Sequence, residues 1–161
     1  MKRAQGTADV KLMECISPAK NKWRIRWDVV KAAEEGQATY MEEDFDHKPS
    51  GDEIKETVIG WCNEQIDTNI LSGFSYEDNV VWLSSENQFN YKAAYDLAVQ
   101  TGGSNLPVMF KFGSEDSPVY RSFQTLEELS DFYTKAMNHI QTTLECGWKL
   151  KNNFKLEYYV S

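Results

Sequence analysis

The stretch Trp23-Arg24-Ile25-Arg26-Trp27-Asp28-Val29 decides the fold class. Large apolar residues alternate with charged ones at a strict period of two, the repeat of a pleated strand whose successive side chains point to opposite sides. Trp23, Ile25, Trp27 and Val29 fall on one side, and Arg24, Arg26 and Asp28 on the other. Upstream, Val10, Leu12, Glu14 and Ile16 alternate in the same way, and Ser17-Pro18-Ala19-Lys20-Asn21 separates the two runs as a turn. Downstream, Ala38 to Phe45 form another extended run after the loop Glu34-Glu35-Gly36-Gln37. Three such runs joined by short connections predict an antiparallel β-meander over residues 9–46, inside a β subregion of 9–50. Residues 1–8, small and polar, read as a flexible lead.

Beyond Pro49 the apolar period lengthens to that of a helix. Ser50-Gly51-Asp52-Glu53 has the Ser-x-x-Glu spacing that satisfies the free amides of a first helical turn. Ile54, Val58, Cys62, Ile66 and Ile70 then line one stripe, with Gly73 expected to end the helix in a left-handed cap. A small hairpin turns around Glu77-Asp78-Asn79. Ser85 and Gln88 open a second helix through Phe89, Ala93, Ala94, Leu97 and Ala98. Val108, Phe110 and Phe112 share one side of a strand that returns through Val119 to Phe123. Thr125 and Glu128 start the longest helix, with Leu126, Leu129, Phe132, Tyr133, Met137, Ile140 and Leu144 as its stripe, loosening at Gly147. The expected architecture is α+β: an N-terminal antiparallel β-meander followed by three helices with interspersed β-hairpins over 51–153, the last helix longest, in a single domain over 9–161.

Composition narrows the function. At 161 residues, 41% hydrophobic and 13% aromatic, the chain carries enough apolar bulk to fold around a core. The formal net charge of -8 argues against nucleic acid, whose binding draws on Lys and Arg neutralising phosphates. Cys15, Cys62 and Cys146 are odd in number and far apart, which predicts thiols rather than a disulfide framework or a zinc site. The N-terminal residues lack an apolar stretch, and no segment has the ~20 apolar residues that span a bilayer. Neither a cleavable secretion signal nor a membrane anchor is expected.

Reactive chemistry has few candidates. The acidic run Glu42-Glu43-Asp44-Phe45-Asp46-His47 could hold a divalent ion, but it lacks the glycine and ligand spacing of a calcium loop, and one strand sends alternate residues to opposite sides. His47 and His139 are the two imidazoles available as a base, and neither sits in a catalytic motif. Cys62 lies on a core stripe. There is no G-x-G-x-x-G or P-loop sequence, so no phosphate cradle and no cofactor is expected. Paired carboxylates of the glycosidase kind stay open, since their pairing is a property of the fold. The aromatic residues Trp23, Trp27, Tyr40 and Phe45 form the candidate contact surface, for a partner protein or for a small ligand or carbohydrate, or else they face the core.

The order of features from Ile54 to about Asn153 completes the reading. A helix ends in Ile70-Leu71-Ser72-Gly73-Phe74, a short hairpin follows with Val81-Trp82-Leu83, Ser84-Ser85-Glu86-Asn87-Gln88 opens the next helix, and a hairpin from Val108 to Val119-Tyr120 precedes the closing helix from Leu126 to Trp148. This order resembles a domain of unknown function found in tail-associated proteins of bacteriophages and prophages. Trp23-Arg24-Ile25-Arg26-Trp27-Asp28 and Phe45-Asp46-His47-Lys48-Pro49 look like the leader preceding that domain in phages of gut bacteria. The resemblance implies a non-enzymatic structural or assembly protein of a tail tip, baseplate or fibre attachment. Its partners would be other phage tail proteins and copies of itself, and its location the virion tail or the host bacterial cytoplasm during assembly.

Overall fold

The computed structural model describes residues 1–33 and 36–159. The expected α+β order is present: a four-stranded antiparallel sheet, then three helices alternating with two two-stranded ribbons, the last helix longest. Where one domain over 9–161 was expected, the chain divides into two compact units, Met1–Trp61 with Asn152–Ser161, and Cys62–Lys151.

The first unit holds strands β1 (Lys2–Thr7), β2 (Met13–Ser17), β3 (Lys22–Lys31) and β4 (Gln37–Phe45), in spatial order β1-β4-β3-β2. The meander β2-β3-β4 is the one expected; the loop predicted at Glu34-Glu35 lies outside the described residues. The flexible lead is corrected. Residues 2–7 are a strand antiparallel to β4, with Lys2 opposite Glu42, Ala4 opposite Tyr40 and Gly6 opposite Ala38. Gly6 is small where Tyr40 packs against it: a Cβ there would lie 2.3 Å from the Tyr40 hydroxyl.

The strict alternation in β3 also breaks at one point. Trp27 pairs with Met41 and Val30 with Thr39, so Asp28 and Val29 together oppose one residue of β4. Asp28 takes φ +50, and this bulge moves Val29 off the face of Trp23, Ile25 and Trp27. Behind that face, Ile54 and Val58 of α1 (Gly51–Ser72) are buried, and Trp61 meets Trp27 edge-on with ring centroids 6.2 Å apart. The capping box that starts α1 is reciprocal: the Ser50 amide donates to Glu53 Oε2 at 2.8 Å, and the Glu53 amide donates to Ser50 Oγ at 3.3 Å.

The second unit is built on rings. Strands β5 (Phe74–Tyr76) and β6 (Asn79–Val81) close through Glu77 and Asp78, both at positive φ, the two-residue turn whose twist matches a hairpin. Helix α2 (Ser85–Gln100) is capped by Ser84 rather than Ser85, with Ser84 Oγ accepting from the Asn87 amide at 3.2 Å. Its buried residues are Tyr91 and Ala98, while Phe89 and Leu97 are exposed, contrary to the stripe read from sequence. Strands β7 (Val108–Gly113) and β8 (Pro118–Phe123) form the second ribbon, and α3 (Leu126–Asn153) supplies Leu129, Phe132 and Ala136 to the core. Phe132 stands at its centre, with its ring 5.0 to 5.7 Å from those of Tyr91, Tyr76, Phe123, Phe112 and Phe110.

Two glycines act differently from expectation. Gly73 has no left-handed backbone; a Cβ there would sit 2.4 Å from the Asn69 carbonyl oxygen, so the residue is small to let the chain turn back on α1. Gly147 does not loosen α3. It is buried within the helix, and a Cβ there would approach Ile66 Cδ1 and Cγ1 to 2.2 Å.

Candidate functional site

Trp23, Trp27 and Phe45 share a face of the first sheet, Trp23 directly opposite Phe45. Tyr40 lies on the other face, because Tyr40 and Phe45 are an odd number of residues apart in an unbroken strand. Trp27 and Tyr40 are buried. Only Trp23 and Phe45 reach the surface, where the Lys48 ammonium lies 5.3 Å from the Trp23 ring and Phe45 meets the His47 ring edge-on. The structure therefore does not bring the sequence-named residues together as one exposed surface.

The acidic run meets cations of this same unit. Glu42, its side chain 5% exposed, has Lys2 Nζ at 3.3 Å, Arg24 Nη1 at 3.3 Å and Arg26 Nε at 3.6 Å. Asp44 accepts two hydrogen bonds from Arg24, at 2.5 and 2.9 Å, and that guanidinium holds its carboxyl below the usual carboxylate range. Arg26 donates to Glu14 at 2.6 Å and to the Lys11 carbonyl at 2.9 Å. The Met1 amino group pairs with Glu43, and Lys22 with Asp46. Among the described residues no group of three or more His, Cys, Asp or Glu could hold a metal ion.

The imidazoles are occupied as well. His47 Nε2 contacts Glu53 Oε1 at 2.8 Å, while Ser50 Oγ donates to Glu53 Oε2 at 2.8 Å. Serine, carboxylate and histidine are thus all present, but the carboxylate stands between the other two, so the imidazole cannot take the serine proton. Bonding to the Ser50 amide and hydroxyl, with help from His47, pulls the Glu53 carboxyl down to about 2. His139 Nε2 donates to the Asn69 carbonyl at 2.8 Å and its ring packs on Phe74. It lines a shallow cleft of about 250 Å³ between α1 and α3 that also includes Cys62 and Cys146, and none of the three cysteines is in a disulfide.

The surface that sequence reading missed lies on the second unit. In β5–β6 the inward residues are Phe74, Tyr76 and Val81, leaving Val80 and then Trp82 exposed. In β7–β8 the inward residues include Phe110, Phe112 and Phe123, leaving Met109 and Tyr120 each 63% exposed. Trp82 ties the two ribbons: its indole N–H donates to the Gly113 carbonyl at 3.0 Å. The turn of the first ribbon is joined to β8 by Arg121, which donates to both Glu77 oxygens at 2.8 and 3.0 Å and keeps that carboxyl below its ordinary value. Behind them the Tyr76 hydroxyl donates to Asp131 at 3.0 Å, and burial together with that carboxylate pushes its pKa up to about 12. The outward apolar positions were legible in principle, since every second residue of Val108–Phe112 must face away from the core.

Among the described residues no helix is long and apolar enough to cross a membrane. No known protein family, curated protein or solved structure matches the chain.

Proposed function

We propose that the protein is a non-enzymatic component that works by protein contacts, with the outward face of the β5–β8 ribbons as its contact element. The observation that carries this is the exposure of Val80, Met109 and Tyr120 on ribbons whose opposite side is a tightly packed aromatic core. A rigid base with large apolar side chains outward is what an interface needs, because little conformational freedom is then lost on binding. The sequence resemblance supplies the setting: a phage or prophage tail tip, baseplate or fibre attachment, with other tail proteins or further copies of the chain as partners.

The test is co-purification of the tagged chain with tail proteins, alongside size-exclusion chromatography with light scattering. Wild type is expected in a complex or an oligomer, and Met109→Asp with Tyr120→Asp is expected to release it while the far-UV circular dichroism stays unchanged. A monomer that carries no tail protein ends the reading.

A further inference from the structure

A cleft of about 330 Å³ opens on the second unit, lined by Trp82, Asn87, Lys111, Gly113, Ser114 and Glu115. Its size is at the lower end of the ~300–1,000 Å³ spanned by small-molecule sites. Three of its groups are fixed in advance. The Trp82 ring is held by its bond to the Gly113 carbonyl, the Asn87 amide donates to the Trp82 carbonyl at 2.9 Å, and Ser114 Oγ accepts from the Ser117 amide at 3.1 Å.

What these bonds leave available defines the ligand. Trp82, 42% exposed, presents aromatic surface; Asn87 Oδ1 remains an acceptor and the Ser114 hydroxyl a donor among the described residues. Lys111 and Glu115 also line the cleft and pair with each other at 3.3 Å. An anionic ligand finds no unpaired cation in this lining and meets a chain of net charge -8. A neutral polyol ring fits all three features: its C–H face carries the slight positive charge that the negative face of an indole attracts, and its equatorial hydroxyls both donate and accept.

We propose that this cleft binds a neutral saccharide, one pyranose ring stacking on Trp82 with its hydroxyls bonded to Asn87 and Ser114. The contact reading rests on Val80, Met109 and Tyr120, none of which lines this cleft.

The experiment is a titration of the ¹⁵N-labelled full chain with maltose, cellobiose, lactose and chitobiose into the millimolar range, followed on the tryptophan indole resonances. The Trp82 signal, assigned by its loss in Trp82→Phe, is expected to shift saturably with at least one of the four. Asn87→Ala should weaken that binding about tenfold, the loss of one good hydrogen bond. Trp82→Phe, followed on the Gly113 amide, should weaken it further. No shift with any of the four sugars overturns the proposal, and so does AMP moving the same signal at lower concentration. Should Trp82→Phe unfold the chain, Asn87→Ala and Ser114→Ala decide: unchanged affinity in both overturns it. Met109→Asp with Tyr120→Asp should leave sugar binding intact.

Discussion

The two units solve the same problem with different interactions. In the first, an acidic strand, β4, lies between two strands carrying cations, and Lys2, Arg24 and Arg26 converge on the buried Glu42. In the second, the ring of Phe132 is surrounded by those of Tyr76, Tyr91, Phe110, Phe112 and Phe123. The difference matters because the two interactions do different work. Opposed charges must first be stripped of water, so a buried ion pair adds little net stability, yet a strand slipped by one residue would leave those charges unpaired on the wrong face. Ring burial has no such desolvation cost and contributes most of the free energy, while specifying register only weakly. The first unit is thus held in register by charge and the second is stabilised by bulk.

That comparison can be broken most forcefully at Phe132. Phe132→Ala should destabilise the chain by about 3–5 kcal/mol in urea unfolding, with amide exchange accelerated in β7 and α3 before β4. Uniform acceleration in both units would mean that they do not differ in what holds them. Next in size, Glu42→Gln keeps shape but removes the carboxylate on which Lys2, Arg24 and Arg26 converge, leaving Arg26 with Glu14 alone, and should cost about 2 kcal/mol. Exchange should rise in β1 and β4; a loss under ~1 kcal/mol would show that water already reaches the network. Tyr159→Phe is a smaller probe of the first unit. Its hydroxyl donates to the Arg26 carbonyl at 2.8 Å, and its loss should cost about 1 kcal/mol, seen as a lowered urea midpoint with unchanged slope.

The smallest effect sharpens the electrostatic side. The folded Glu53 carboxyl at about 2 lies below its ordinary 4.5, so its contribution is present in full above that ordinary value and is lost as pH falls toward 2. Carboxyl ¹³C titration should report this value directly, and Ser50→Ala should move it back toward 4.5 by removing the hydroxyl donor. No movement would assign the shift to the backbone amide and His47 alone.

Local signals were legible in the residues. Ser50 with Glu53 and Thr125 with Glu128 cap their helices as read, with the Glu128 amide donating to Thr125 Oγ1 at 3.2 Å. The second cap was displaced by one because Ser84 and Ser85 are adjacent and chemically equal, and only the path of the chain after Leu83 selects between them. The stripe of α2 runs through tyrosines that the sequence reading does not include, because packing follows the ring whatever its polar tip: Tyr91 faces Phe110 at 4.6 Å and Tyr95 stacks on Tyr133 at 4.6 Å. As for the candidate site, the odd spacing of Tyr40 and Phe45 already separated them, but the joining of two ribbons through Trp82 and Gly113 links residues 31 apart and has no local signature.

The sequence by itself determined the α+β class, the meander, the positions of the three helices and the order of the ribbons, because periodicity and capping are properties of a few neighbouring residues. The tertiary structure decided that residues 2–7 are a strand, that Gly147 is a close-contact residue, and that Val80, Trp82, Met109 and Tyr120 of the ribbon region face outward while Trp27 and Tyr40 are buried. Each of these depends on a partner distant in the chain: the acidic strand that recruits Lys2, the Ile66 that fills the space above Gly147, and the core that takes one side of each ribbon and leaves the other outside.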